Sequence, residues 1–440
     1  MKIGFVSLGC SKNLVDTEVM LKRLADAGYT ITPDETEADI IVVNTCGFIQ
    51  SAKEEAIDNI LDVAWLKKNR SLKGIIATGC LVERYREQVL EEMPEVDAAL
   101  GTGSYHKIVE AVEAVARGEK YASFEDKNEA PLGGERIVTT PPYTAYLKVA
   151  EGCDNRCTYC AIPLIRGRMR SRRIEDVVAE AKALEKIGVR ELNIIAQDTS
   201  RYGLDLYGKY MLPELVQKIL AETQIPWIRL LYLYPDKITD ELVAVIRDND
   251  RVCKYVDLPI QHVNDTVLAR MNRHGDGAVV RAAVEKIRRE IPGVTLRTTA
   301  IVGFPGETEE QFAELCEFVK KTGFDRFGAF TYSPEEGTPA AEFPDQIDEQ
   351  VKQDRYDTLM AVQLAVSEKK MQERLGDVVE VLCEGYDPVA GVQYGRSRAD
   401  APDVDGKVYF TSAKKLPEGV FVNVKITKAL DYDLFGEAVR

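Results

Sequence analysis

Between Lys148 and Arg173 the chain reads KVAEGCDNRCTYCAIPLIRGRMRSRR, which places Cys153, Cys157 and Cys160 within eight residues. Structural zinc wants four protein ligands, and the chain has only 3 histidines, none of them near Cys153. A 4Fe-4S cluster, by contrast, can be held by three thiolates, which leaves one iron without a protein ligand and open to a small molecule. Cysteines that are simply buried, or that form a redox disulfide, are the other readings of the spacing. Against burial, GCDNRCTYC is polar, whereas buried cysteines keep apolar company. The arginines that follow, Arg166, Arg168, Arg170, Arg172 and Arg173, read in two ways. They form a solvated turn, or some of them hold an anionic group, either a cofactor carboxylate or an acidic substrate side chain, through bidentate hydrogen bonds.

Three further cysteines, Cys10, Cys46 and Cys80, are far apart in sequence but alike in context. Each stands just after a strand-like run and each touches a glycine, in LGC, CGF and TGC. In a parallel sheet the C-terminal ends of the strands share one edge, so these thiols converge into a second three-cysteine site. Glycine lets the backbone turn tightly beside a bulky cluster. Cys316 lies within the helical run FAELCEFV, Cys383 ends VVEVLC and Cys253 precedes KYVDLPI, and the three are assigned to packing.

The elements that position these residues follow from periodicity. The runs Ile3 to Leu8, Ala38 to Thr45 and Gly74 to Gly79 alternate with helical patterns, the signature of an N-terminal parallel α/β domain over 1–117. A polar stretch with PLGGE and TTPP suggests a linker over 118–138. Six strand candidates follow (AYLKVA, LNIIAQ, IRLLYL, YVDLPI, TLRTTAIVGF, FGAFTY) with helices between them, a partial parallel barrel over 139–371 with function at the strand C-terminal ends. From 372 to 440 short runs rich in valine and tyrosine, punctuated by turns, fit a small antiparallel β-barrel of OB-like type. Of 440 residues, 45% are hydrophobic and 29% charged, as in an ordinary globular chain. An odd count of 9 cysteines, with no signal-like start and no long apolar run, points to the cytoplasm and away from a disulfide framework or a membrane. A net charge of -15 argues against broad attraction to nucleic acid and suits a basic protein partner.

CxxxCxxC after the first strand of a parallel barrel resembles the signature of the radical S-adenosylmethionine superfamily. Six cysteines in this order, on these three units, resemble the methylthiotransferases across nearly the whole chain. SLGCSKNLVDTE, YLKVAEGCDNRCTYCAIPLIRGRMRSR, VGFPGETEE and YDLFGEAV are similar to the RimO branch, which modifies an aspartate of small-subunit ribosomal protein twelve. Ser11 departs from the proline common in that branch; it is not a ligand.

The resemblance implies a radical enzyme with two 4Fe-4S clusters and S-adenosyl-L-methionine, ending in a TRAM-like barrel. Cys153, Cys157 and Cys160 would hold the cluster that cleaves S-adenosylmethionine, yielding a 5'-deoxyadenosyl radical that takes hydrogen from the aspartate β-carbon. Cys10, Cys46 and Cys80 would hold the cluster that presents sulfur. Gln197, Asp198, Gln261, Arg297 and Gly303, at strand ends, would line the cofactor pocket, with Tyr159 beside the adenine. The resemblance also implies an electron donor such as flavodoxin or ferredoxin. Two rival readings use the same residues: a tRNA adenosine methylthiotransferase, against which the acidic C-terminal module counts, and a non-catalytic iron-sulfur electron carrier or sensor.

Overall fold

Runs of β-branched residues separated by helices can bury both of their faces only in a parallel sheet covered on each side. The computed structural model, which describes residues 1–439, contains two such sheets and a small barrel. The N-terminal sheet comprises β1 (Lys2–Ser7), β2 (Thr30–Ile31), β3 (Ile40–Thr45), β4 (Gly74–Gly79), β5 (Ala98–Leu100) and β6 (Tyr121–Ser123), all parallel, in the order β2-β1-β3-β4-β5-β6. Side chains alternate across it: Ile40, Val42 and Ile76 enter one core, and Ile41, Val43, Ile75 and Ala77 the other. Helix α1 (Ser11–Asp26) covers the first face and α2 (Gln50–Asn69) the second, through Met20 and Leu24, and Ile60 and Val63, respectively. β6 falls inside the stretch expected to be linker, so the sheet extends beyond residue 117.

The central unit starts at β7 (Thr144–Lys148). A two-stranded ribbon, β8 (Ala150–Glu151) with β9 (Arg170–Ser171), closes the base of the loop that carries Cys153 to Cys160. The sheet continues with β10 (Glu191–Ile195), β11 (Trp227–Leu230), β12 (Val252–Asp257), β13 (Thr295–Val302) and β14 (Arg326–Thr331), in the order β14-β13-β12-β11-β10-β7. These six parallel strands are the six read from sequence, and the sheet is not closed.

Helix Glu349–Gln372 leads into β15 (Val378–Asp387), β16 (Val392–Ser397), β17 (Val408–Thr411), β18 (Phe421–Ala429) and β19 (Leu434–Val439), which close as β15-β16-β17-β19-β18. The expected antiparallel barrel is corrected at one seam, because β17 and β19 run parallel. Five strands cannot alternate in direction all the way round a closed ring, so at least one pair must be parallel.

The units are joined by buried charge. Glu191, at the start of β10, accepts from Arg396 on β16 at 2.5 and 3.0 Å and from Arg229 on β11 at 3.0 and 3.1 Å. Arg326 at the start of β14 pairs with Asp400. Part of α1 is polar yet buried against the central unit: Asn13 accepts from Arg166, Asp16 pairs with Lys148 and Arg166, and Glu18 pairs with Arg136 and accepts from the Thr139 N–H at 2.6 Å, whereas Thr17 turns to Ser7 and Asn44 of its own sheet. Cys253 and Cys383 are fully buried in separate cores, and Cys316 packs at the edge of a third. No helix among the described residues is long and apolar enough to cross a membrane.

Candidate functional site

A sheet of order 2-1-3-4-5 opens a crevice at the C-terminal ends of the strands where the order reverses, between β1 and β3. Cys10 follows β1, Cys46 follows β3, and Cys80 opens helix α3 (Cys80–Tyr85) directly after β4. The approach is close: Gly9 has φ +86°, and a Cβ there would stand 2.8 Å from the Cβ and 3.0 Å from the Sγ of Cys46. Asn13 holds the turn by donating to the Leu8 carbonyl at 2.7 Å. Exposure falls from Cys10 (exposed) through Cys46 (half-buried) to Cys80 (buried), so the set opens on the Cys10 side. Burial pushes the Cys80 thiol up to about 12 against the pull of Arg166, and raises Cys46 as well.

The second set sits on the loop above the β8–β9 ribbon. Gly152, at φ +78°, has its Cα so close to the chain that an added Cβ would overlap the Arg168 carbonyl oxygen. The Cys153 N–H donates to the Gly167 carbonyl at 3.1 Å. Farther along, the Thr158 N–H reaches the Met271 carbonyl at 3.0 Å, and Asn272 Nδ2 reaches the Arg156 carbonyl at 2.9 Å. Cys157 Sγ lies 3.7 Å from the Tyr234 hydroxyl. Burial pushes Cys153 up to about 12 and raises Cys160 too. Thiols raised in this way are protonated at neutral pH until a metal replaces the proton.

The two sets are neighbours. Cys80 packs in one buried cluster with Ala161 and Ile165, the first of which directly follows Cys160. Arg166 closes the link: its guanidinium, 3% exposed, lies 2.5 Å from Asp16 and 3.4 Å from Glu151, and donates to Asn13 at 3.0 Å and to Cys80 Sγ at 3.4 Å. Lys148 completes the group, pairing with Asp16 and with Glu151 at 2.6 Å. Burial works to raise the Glu151 carboxyl, but Lys148 and Arg166 outweigh it and hold the group at about 2.

The residues foreseen around the cofactor fall into two places. Gln197 donates to Glu151 at 2.6 Å, and its own side-chain carbonyl is buried without a partner, as is that of Gln261, which sits at φ 67°. Asp198 is buried, held by Asn155 at 2.8 Å and Ser200 at 2.5 Å; burial raises its carboxyl. Gly303, just beyond β13, donates to Glu307 at 2.6 Å. The Tyr159 hydroxyl accepts from Arg273 at 3.2 Å. Arg297 departs from expectation. It is the third residue of β13, not at the strand's C-terminal end, and its guanidinium is engaged by Asp257 at 2.8 Å and Asp405 of the barrel at 3.8 Å. The arginine run is also corrected. Arg166, Arg170 and Arg172 are neither a solvated turn nor free forks, since Arg170 grips the carbonyls of Lys127 and Ala130 and Arg172 pairs with Glu180 at 2.6 Å; only Arg168 and Arg173 are exposed.

Among the described residues no three His, Cys, Asp or Glu side chains converge tightly enough to hold one metal ion. Two open sets of three thiols suit a multi-iron cluster better than a lone zinc, whose ligands crowd within about 2.3 Å of a point. The unpartnered carbonyls of Gln197 and Gln261 are acceptors suited to an ammonium or hydroxyl donor, the groups that S-adenosylmethionine carries. The donor set thus fits both groups. Sequence reading missed Arg166 as a buried link, together with Asp16, Glu151, Tyr234 and Arg273. The one available signal was SKNLVDTE, in which Asn13, Asp16 and Glu18 surround Leu14 and Val15, so the part of α1 that meets the central unit mixes polar with apolar residues.

This parallel sheet with its three-cysteine loop defines a radical S-adenosylmethionine protein, and residues 147–319 match the Radical SAM superfamily. Residues 2–101 match the uncharacterized protein family UPF0004, and residues 375–439 match the TRAM domain. Among relatives, the ribosomal protein uS12 methylthiotransferase RimO of Desulforamulus reducens is 50% identical over 100% of this chain and 99% of its own. That of Lachnoclostridium phytofermentans is 50% identical over 100% of both chains. The chain belongs to this family, the RimO-type methylthiotransferases. Among solved structures, the radical S-adenosylmethionine methyltransferase TsrM from Kitasatospora setae has a TM-score of 0.57 at 13% identity, covering 83% of this chain and 89% of that one. The cobalamin-dependent OxsB reaches 0.50 at 11% identity, covering 82% of this chain and 56% of that one. These two likenesses are of fold alone.

Proposed function

We propose that the chain is a transferase that places a methylthio group on the β-carbon of an aspartate in ribosomal protein uS12. Cys153, Cys157 and Cys160 would hold one 4Fe-4S cluster with S-adenosylmethionine, and Cys10, Cys46 and Cys80 a second. When bound and reduced, the first group supplies one-electron cleavage of the sulfonium, the chemistry able to open an unactivated C–H bond. The chain's own residues then do three things. Gln197 and Gln261 offer free carbonyls to orient the cofactor. Tyr234, its hydroxyl 3.7 Å from the sulfur, covers the buried Cys157. Arg166 and Lys148, paired to Asp16 and Glu151, keep the two cysteine sets in fixed register.

The observation that supports the reading is the contact of Cys80 with Ala161 and Ile165, the closeness that a sulfur-bearing site and a radical-forming one would need. A reduced flavodoxin or ferredoxin would supply the electrons, and the ribosomal substrate implies the cytoplasm. Mass spectrometry of a deletion strain tests the reading. Ribosomal protein uS12 should lose its methylthio group while tRNA adenosines keep theirs, and the reverse pattern would assign the chain to tRNA instead.

A further inference from the structure

Helix α2 leaves the rim of this site, beginning four residues after Cys46, and its Lys53 reaches across to Glu335 of the central unit at 3.1 Å. One face of the helix is buried through Ala56, Ile60 and Val63. Its outer face is unusual for a solvated helix: Ile57, Leu61 and Trp65, one per turn, are 39%, 49% and 55% exposed. Over eight residues the row spans about 12 Å. Scattered exposed apolar residues need no explanation, but a contiguous row ending in tryptophan marks an interaction surface.

The row is bordered by exposed acids, Glu54, Glu55, Asp58 and Asp62. Two lysines of the helix are occupied elsewhere, Lys53 by Glu335 and Lys67 by Asp97 at 2.5 Å, and the exposed Lys68 lies beyond Trp65. The border therefore stays negative. An acidic border repels RNA and attracts a protein rich in lysine and arginine, the composition a ribosomal protein needs to neutralise RNA phosphates.

We infer that the Ile57–Leu61–Trp65 face of α2, with its border of Glu54, Glu55, Asp58 and Asp62, is the docking surface for the basic protein whose aspartate is modified. The inference rests on the functional reading above and adds where the substrate is gripped. A protein lying along α2 has one end at the rim where the cysteine sets meet, so the apolar row supplies affinity and the acids supply orientation.

The test uses the full-length reconstituted enzyme and purified uS12. Kd is read for every variant from the fluorescence anisotropy of dye-labelled uS12; in wild type a change in tryptophan emission on adding uS12 also reports Trp65, because Trp227, the other of the 2 tryptophans, is fully buried. Trp65→Glu, Leu61→Glu and the charge reversal Asp58→Lys with Asp62→Lys are compared with wild type, with circular dichroism to check folding. The expected result is Kd for uS12 raised at least about tenfold by Trp65→Glu, a raised KM with kcat unchanged, and undiminished turnover of a short peptide around the aspartate. The charge reversal should weaken binding chiefly at low salt. Binding by Trp65→Glu within about twofold of wild type, when wild type modifies uS12, overturns the surface alone. Failure of wild type to modify uS12 overturns both the surface and the function. Sedimentation showing a wild-type dimer that Trp65→Glu dissolves would reassign the face to a second copy of the chain.

Discussion

Replacing Arg166 with glutamine should loosen the joint between the N-terminal and central units by several kcal/mol. Asp16, Glu151, Lys148 and Arg166 form a buried group with two charges of each sign, and Arg166 is 3% exposed. Arg166→Gln leaves one uncompensated carboxylate in that group, a change that costs about 3–5 kcal/mol in buried settings. The pull on Glu151 supplies part of this. Glu151 is held at about 2 in place of 4.5, by Lys148 and then Arg166 against burial, which corresponds to about 3 kcal/mol shared between the two cations. The midpoint of thermal unfolding of the cluster-free protein at neutral pH should therefore fall by about 3–5 °C. Adding Asp16→Asn to Arg166→Gln restores neutrality and should recover a good part of the loss, a non-additive result read from a double-mutant cycle. A fall of less than about 2 °C, or a double variant whose losses simply add, would refute the claim that this network joins the units.

Other outcomes follow from the same geometry. Replacing Cys10, Cys46 and Cys80 together by alanine should lower bound iron from about eight to about four per chain, as should replacing Cys153, Cys157 and Cys160; loss of all iron in either variant would show that the sites do not assemble independently. Gly152→Ala, whose Cβ would overlap the Arg168 carbonyl, should remove iron from the second set only, which electron paramagnetic resonance of the reduced protein would resolve. Glu191 is held at about 2 by Arg396 and Arg229 against burial. Because its folded value lies below its unfolded one, its contribution of about 3 kcal/mol is complete above about pH 4.5 and is lost as pH falls toward 2. Denaturant unfolding across that window should show the slope in wild type and a flatter one in Glu191→Gln; equal slopes would contradict this.

The motifs that carry chemistry were legible because they are local. CxxxCxxC lies within eight residues, and each upstream cysteine announces itself by a strand before it and a glycine beside it. Six parallel strands in the central unit were readable for the same reason, since period and turn residues are properties of short windows. What was not legible depends on distant partners. Arg166 looks like one of five similar arginines until Asp16, 150 residues earlier, is placed beside it. Arg297 is a pocket residue only by resemblance to the superfamily; its third place in β13 and its engagement by Asp257 and by Asp405 of the barrel, more than a hundred residues away, are set by tertiary structure. The parallel β17–β19 seam is a consequence of closure, which no single strand encodes.

The most direct test of the central claim follows the hydrogen atom. Purified uS12 carrying deuterium on its aspartate β-carbons is mixed with the reconstituted enzyme, S-adenosylmethionine and a reductant, and the 5'-deoxyadenosine is analysed by mass spectrometry. The account predicts that it carries deuterium, that methylthio-aspartate forms alongside, and that both are lost in Cys153→Ala. Release of 5'-deoxyadenosine without deuterium, or equal release whether or not uS12 is present, would contradict it.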